Sequence, residues 1–187
     1  MAVRPVRIYG DPVLRRKAAE VERFDDALRA LIADLRETMR AYQGVGLAAN
    51  QVGVLERVLV VDVPIDDAGR ARYALVNPRL DRRSGTETGE EGCLSIPGIF
   101  EEVRRSRQVR VRARDEQGAP LEFVAEGYLA RAIQHEVDHL DGVLFVDRLS
   151  SLKRQFLRRA LEQLAAGELP EAQPPPAEAS GSEGGAR

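Results

Sequence analysis

The chain has 187 residues, 43% of them hydrophobic and 31% charged, which is enough for one soluble domain with a proper core. Its formal net charge of −2 gives no reason to expect general affinity for polyanions and argues against DNA as a partner. The single cysteine cannot close an internal disulfide, MAVRPVRIYG has no apolar signal core, and the longest apolar run, VLVVDVP, is too short to span a membrane. A cytoplasmic location follows by elimination.

In chain order, residues 24–42 predict a first helix, with Leu28, Leu31, Ile32, Leu35 and Met39 at helical spacing and Asp25 or Asp26 to cap it. QGVGLAANQVG reads as a turn-rich loop whose glycines allow close backbone approach. It lacks the Lys-Ser/Thr ending of a phosphate loop, so nucleotide binding is not expected there. RVLVVDV is a strand, PIDDAGR a turn, and ARYALVNPRL a second strand stopped by Asn77-Pro78. RRSGTETGEEGCLSIPG reads as loops with a short strand. RQVRVRARDEQG alternates Val109, Val111 and Ala113 with arginines, the pattern of a half-exposed strand, and DEQG turns it toward PLEFVAEG. A helix is expected over 125–140 and another over 151–166. In the latter, Leu152, Phe156, Ala160 and Leu164 are expected to pack while Lys153, Arg154, Arg158 and Arg159 face water. From Gly167 the proline-, glycine- and glutamate-rich tail is expected to be disordered. These elements predict an α+β fold, one compact domain of small antiparallel sheets around a central helix, plus a carboxy-terminal helix.

That central helix carries QHEVDHLDG, Gln134–Gly142, with both histidines of the chain. His135 and His139 are four residues apart, so a helix presents them on one face, and Glu136 sits beside them as in HExxH metal sites. Gly142 suits the end of the helix. A catalytic metal site needs a third protein ligand and an open position. Cys93, in EEGCLSIPG, is the only soft ligand available, although buried inert cysteine is a competing reading and nearby carboxylates remain rivals. Glu90, Glu91, Asp138 and Asp141 are candidates to accept the imidazoles' other N–H, with Asp141 favoured as merely solvated. Arg104 and Arg105 are read as solvated surface residues, with substrate contact the alternative.

Three stretches together resemble the peptide deformylase family: GVGLAANQVG at 44–53, EGCLS at 91–95 and QHEVDHLDG, in that order and with similar spacing. IYGDPVLRRKA also resembles the family's start, and the resemblance covers about residues 3–165. It implies a catalytic domain over 1–166 followed by the 167–187 tail. It also implies removal of the formyl group from the amino-terminal methionine of nascent polypeptides, with release of formate. By the same resemblance, Cys93, His135 and His139 hold one divalent metal, ferrous iron in preference, with Zn2+, Ni2+ or Co2+ able to replace it. Glu136 is implied as general base and acid, Gln51 and the Leu94 N–H as donors to the oxyanion, and Gly46 as a backbone contact to the peptide. Asn50 fills the variable position of the first motif. The final basic helix resembles one that suggests transient ribosome contact, against the plainer reading of a docked surface helix.

The methionine side chain needs an apolar slot, for which Val45, Leu47, Tyr128, Leu129 and Ala132 are candidates, each also readable as core. Tightness around the formyl group is expected to exclude acetyl. A monomer binding N-formylmethionyl peptides is the expectation. Two other readings remain: an HExxH metallopeptidase acting on unformylated peptides, and a catalytically silent peptide-binding homologue.

Overall fold

The computed structural model describes residues 2–65 and 69–169. Helix α1 spans Asp26–Ala41, and the Asp25 carboxylate caps it by accepting the Leu28 N–H at 3.1 Å. Leu28, Leu31, Ile32, Leu35 and Met39 form its buried face, as their spacing predicts.

Five antiparallel strands build the main sheet in the order β1, β2, β3, β6, β7. They are Gly46–Ala48, Val58–Ile65, Gly69–Ser84, Gln108–Arg114 and Pro120–Glu126. The continuous apolar run in β2 has a simple cause. Val58 and Val60 pack on the α1 side, while Leu59, Val61 and Val63 pack on the other side, so both faces are buried. In β6, buried Val109 and Val111 alternate with outward arginines.

Two strand readings are corrected. Asn77-Pro78 does not stop β3, which continues to Ser84. The chain bulges between Val76 and Arg79, Asn77 takes a left-handed φ of 53°, and its side chain pairs with the backbone N–H and C=O of Val21. A bulge is where a strand tolerates proline's missing N–H. The segment read as loops with a short strand is a two-stranded hairpin, β4 (Glu87–Cys93) with β5 (Ile96–Arg105). Glycines and glutamates hid β4 because its side chains are largely exposed.

Helix α2, Gly127–Leu140, follows β7 without a loop; residues 125–126, assigned to the helix from sequence, belong to the strand. Every residue from Ala130 to Leu140 is buried. One side packs on the sheet with Leu59, Val61 and Leu75. Gly142, with φ 74°, closes the helix end, where its N–H bonds the His139 carbonyl at 2.9 Å.

Helix α3 spans Ser151–Ala165, capped by Ser150. Its packing stripe agrees with the sequence expectation in part: Leu164 is buried and Ala160 half-buried, as expected, but Leu152 and Phe156 are 60% and 78% exposed, and Leu161 and Leu157 fill the core instead. Both rows have helical spacing, and only the position of the β4–β5 hairpin beneath the helix selects between them. That third core joins Ile96, Ile99 and Val103 of β5 to Leu14, Phe145 and α3. The turn expected at PIDDAGR falls partly on residues 66–68, and the tail from 170 onward also lies outside the described residues.

Candidate metal centre

Three chain segments converge at one point. Cys93 ends β4, and His135 and His139 occupy successive turns of α2. One donor atom from each of the three lies within 4.8 Å of the others, and Cys93 Sγ is 3.1 Å from His139 Nε2. Donors about 2.0–2.3 Å from a common ion must crowd in this way. The His135 and His139 rings lie 5.0 Å apart at an edge-on angle. One cysteine and two imidazoles make three protein donors, the number that a catalytic divalent metal takes with its remaining position left to water or substrate. The residues present therefore fit the group that the sequence implies.

Helix α2 is buried despite its polar residues, which is stable only where those groups are paired. Glu91 organises the pairing. Its Oε2 accepts from His135 Nδ1 at 2.9 Å, which fixes the ring so that Nε2 faces the site. Arg105 donates two bonds of 2.9 Å to the same carboxylate, and Arg131 a third of 2.9 Å. Burial pushes the Glu91 carboxyl up, but the hydrogen bonds from Arg105 and His135 and their charges outweigh it and hold it at about 2. Arg105 also pairs with Asp138, which Arg148 holds from the other side at 2.6 and 3.0 Å. Of the four acidic candidates, then, Glu91 touches an imidazole and Asp138 supports Glu91 through Arg105. Asp141 is exposed and pairs with Arg57 at 2.7 Å, so it is not merely solvated. Arg105 is no surface residue: it is 6% exposed. Arg104 is exposed.

The first motif, read as a loop, is instead strand β1 followed by a 3-10 turn over Ala49–Val52, all of it buried. This turn aims Gln51 at the centre. Gln51 Oε1 accepts the Ala48 N–H at 2.8 Å, which orients the amide so that Nε2 lies 3.6 Å from Cys93 Sγ and 3.2 Å from Ser95 Oγ. Gly46 packs against Glu136, and a Cβ there would collide with the carboxyl group. Glu136 is buried, and its Oε2 has no hydrogen-bond partner among the described residues. Burial pushes its carboxyl up to about 7; the charge of His135 opposes this and that of Glu91 adds to it.

Asn50, at the variable position, was given no role from sequence, yet it is fully buried and its amide donates to the His139 carbonyl. A buried amide inside a glycine-rich motif was the available signal. Leu94 lies in the turn joining β4 to β5. Among the pocket candidates, Leu47 has 0% exposure and belongs to the core under α1, so it offers no surface to a substrate. Its side chain points to the opposite sheet face from that of Ala48, its neighbour in β1, as strand alternation requires. Ala132 is buried, Val45 and Leu129 are half-buried against the α2 core, and Tyr128 is exposed.

Two buried imidazoles and a half-buried cysteine, with the buried Glu136 carboxyl group and the Gln51 amide N–H beside them, define a metal-dependent hydrolase. The family model described as polypeptide deformylase matches residues 3–155, and the chain belongs to that family. A peptide deformylase of Alkalilimnicola ehrlichii is 51% identical over 164 residues, covering 88% of this chain and 92% of that one. The solved structure of the Thermus thermophilus peptide deformylase aligns with TM-score 0.82 at 44% identity, covering 89% and 99% of the two chains. The Legionella pneumophila peptide deformylase structure gives 0.81 at 43%, covering 89% and 98%. Fold, ligand set and family together make this chain a metal-dependent hydrolase that removes N-formyl groups.

Proposed function

We propose that the substrate is the formyl-methionine terminus of nascent polypeptides and that Cys93, His135 and His139 hold ferrous iron in preference to other divalent ions. The observation that carries the reading is the convergence of these three donors within 4.8 Å, beside Glu136, whose buried Oε2 has no hydrogen-bond partner among the described residues. The iron preference rests on the family resemblance, since affinity order alone would favour zinc.

When bound, the ion lowers the pKa of a coordinated water and polarises the formyl carbonyl. The chain's own groups do the rest. Glu136 takes a proton from the attacking water and delivers it to the amine nitrogen as the carbon–nitrogen bond breaks, leaving formate and a free amino terminus. Gln51 Nε2, already directed at Cys93 Sγ, and the Leu94 N–H donate to the oxygen that gains charge. The Gly46 backbone aligns the peptide, while Val45, Tyr128, Leu129 and Ala132 border the methionine side chain. The close packing of Gly46 on Glu136 supports the idea that the formyl end of the site is too tight for acetyl. The chain acts as a cytoplasmic monomer. The basic residues Lys153, Arg154, Arg158 and Arg159 of α3 support transient contact with the ribosome; unchanged ribosome affinity after deletion of 151–187 would remove that part.

The decisive assay is formate release from formyl-Met-Ala-Ser by protein prepared without oxygen and loaded with ferrous iron. Turnover on the formyl peptide with little on the acetyl peptide supports the reading. No release from folded, iron-loaded protein overturns it, and cleavage of unformylated peptides would favour a metallopeptidase.

A further inference from the structure

An open surface hollow of about 370 Å3 lies where the ends of β3 and β5 meet α2 and the 3-10 turn at Phe145–Arg148, and it contains neither a metal ligand nor Glu136. Its volume falls within the roughly 300–1,000 Å3 of small-molecule sites. Four of its lining residues are arginines, Arg83, Arg104, Arg105 and Arg148, and two more, Thr86 and Ser106, carry hydroxyls. Among the described residues, no acidic side chain lines it. In a chain of net charge −2 this is a local concentration of positive charge.

The four arginines are not equivalent. Arg105 and Arg148 are held rigidly by Glu91 and Asp138, so they form a fixed positive wall. Arg83 and Arg104 make no ion pair or side-chain hydrogen bond among the described residues. Most of the protein's structured arginines behave otherwise: Arg4, Arg15, Arg57, Arg70 and Arg110, for example, each pair with an aspartate. The Thr86 and Ser106 hydroxyls are likewise uncommitted among the described residues, while Gln134 pins the Ser106 backbone on both its N–H and its C=O. Two guanidinium groups without carboxylate partners match the roughly two negative charges of a phosphate monoester near neutrality, and their planar forks suit its oxygens.

We propose that this pocket binds a phosphate group, carried either by a small phosphorylated molecule or by an RNA backbone. The test is calorimetric titration of the full-length, zinc-loaded protein with inorganic phosphate and with a short single-stranded RNA. Ionic strength is held constant with chloride. Wild type is compared with the double variant R83A/R104A, whose exposed and unpaired side chains leave folding intact. Saturable phosphate binding, weakened at least about tenfold by the double variant, establishes the site. RNA binding with the same sensitivity, without binding of free phosphate, identifies the polymer as the source. Binding of neither probe, or binding that the double variant leaves unchanged, overturns the proposal; the second pattern also covers phosphate captured at the metal. Amide shifts on wild type give an answer independent of any variant: phosphate must move Thr86 and Ser106, and shifts confined to the metal centre refute the assignment.

Discussion

Removing the Glu91 carboxylate would leave the buried Arg131 guanidinium with backbone carbonyls but no counter-charge, leave Arg105 with Asp138 alone, and release His135 Nδ1. An uncompensated buried charge costs about 3–5 kcal/mol, and loss of such a support lowers metal affinity by roughly 10–100-fold. Glu91→Ala is therefore expected to lose both stability and metal, as read by urea denaturation and by metal content after dialysis. A variant that retained both would show that His135 is oriented by something else. Glu136→Gln separates chemistry from architecture. It should keep the fold and the metal while formate release falls by about 10²–10⁴-fold. Gly46→Ala puts a methyl group into the Glu136 carboxyl, so overpacking should lower stability by about 1–3 kcal/mol and activity with it. An unchanged melting temperature would show that Glu136 can move aside. At this scale the sequence was most legible where residue types were scarce: one cysteine and two histidines leave few ways to build a site. It was least legible for Glu91, one of four acidic candidates, and for Asn50, whose role depends on a carbonyl 89 positions away.

Among the elements, α1 could be read directly because its buried residues recur with the helical period, and β2 because a short apolar, valine-rich run suits a strand buried on both faces. Helix α3 could not. Its sequence offers two apolar rows that share Ala160 and Leu164, and the one facing the hairpin adds Leu157 and Leu161. Leu161→Ala should lower stability by about 2–3 kcal/mol through the cavity it leaves, while Phe156→Ala should stay within about 0.5 kcal/mol. Chemical denaturation of the two variants checks this, and equal losses would mean that Phe156 is covered in solution. Strand β4 illustrates a different limit: TETGEEGC has neither alternation nor β-branched density, and pairing with β5 makes it a strand. The Asn77-Pro78 bulge shows that a strong breaker signal yields when a partner strand and the Val21 backbone satisfy the groups around it.

For the whole molecule, the metal ligands join two separate layers. Cys93 belongs to the hairpin that packs with α3, and His135 and His139 belong to the helix that packs on the main sheet. An ion held by all three therefore ties these layers together, and its binding energy becomes folding energy. Metal loading should raise the melting temperature, and a chelator should lower it to a common baseline. Cys93→Ser should remove most of the difference between the two, as measured by scanning calorimetry with and without metal. If stripping leaves wild type unchanged, the layers are joined by packing alone.

The sequence by itself determined the helical spacing that pairs the two histidines, the buried face of α1, the strand at β2, and the motif order that marks the family and through that resemblance names the donor set, because each depends on local periodicity or on residue type. Only the tertiary structure decided which carboxylate holds His135, that Leu47 is core and Arg105 interior, which row of α3 is buried, and that arginines from β3, from β5 and from the turn before α3 gather in one surface hollow. Those facts depend on contacts between segments tens of residues apart, and a local pattern in the chain carries no record of which distant segment will cover it.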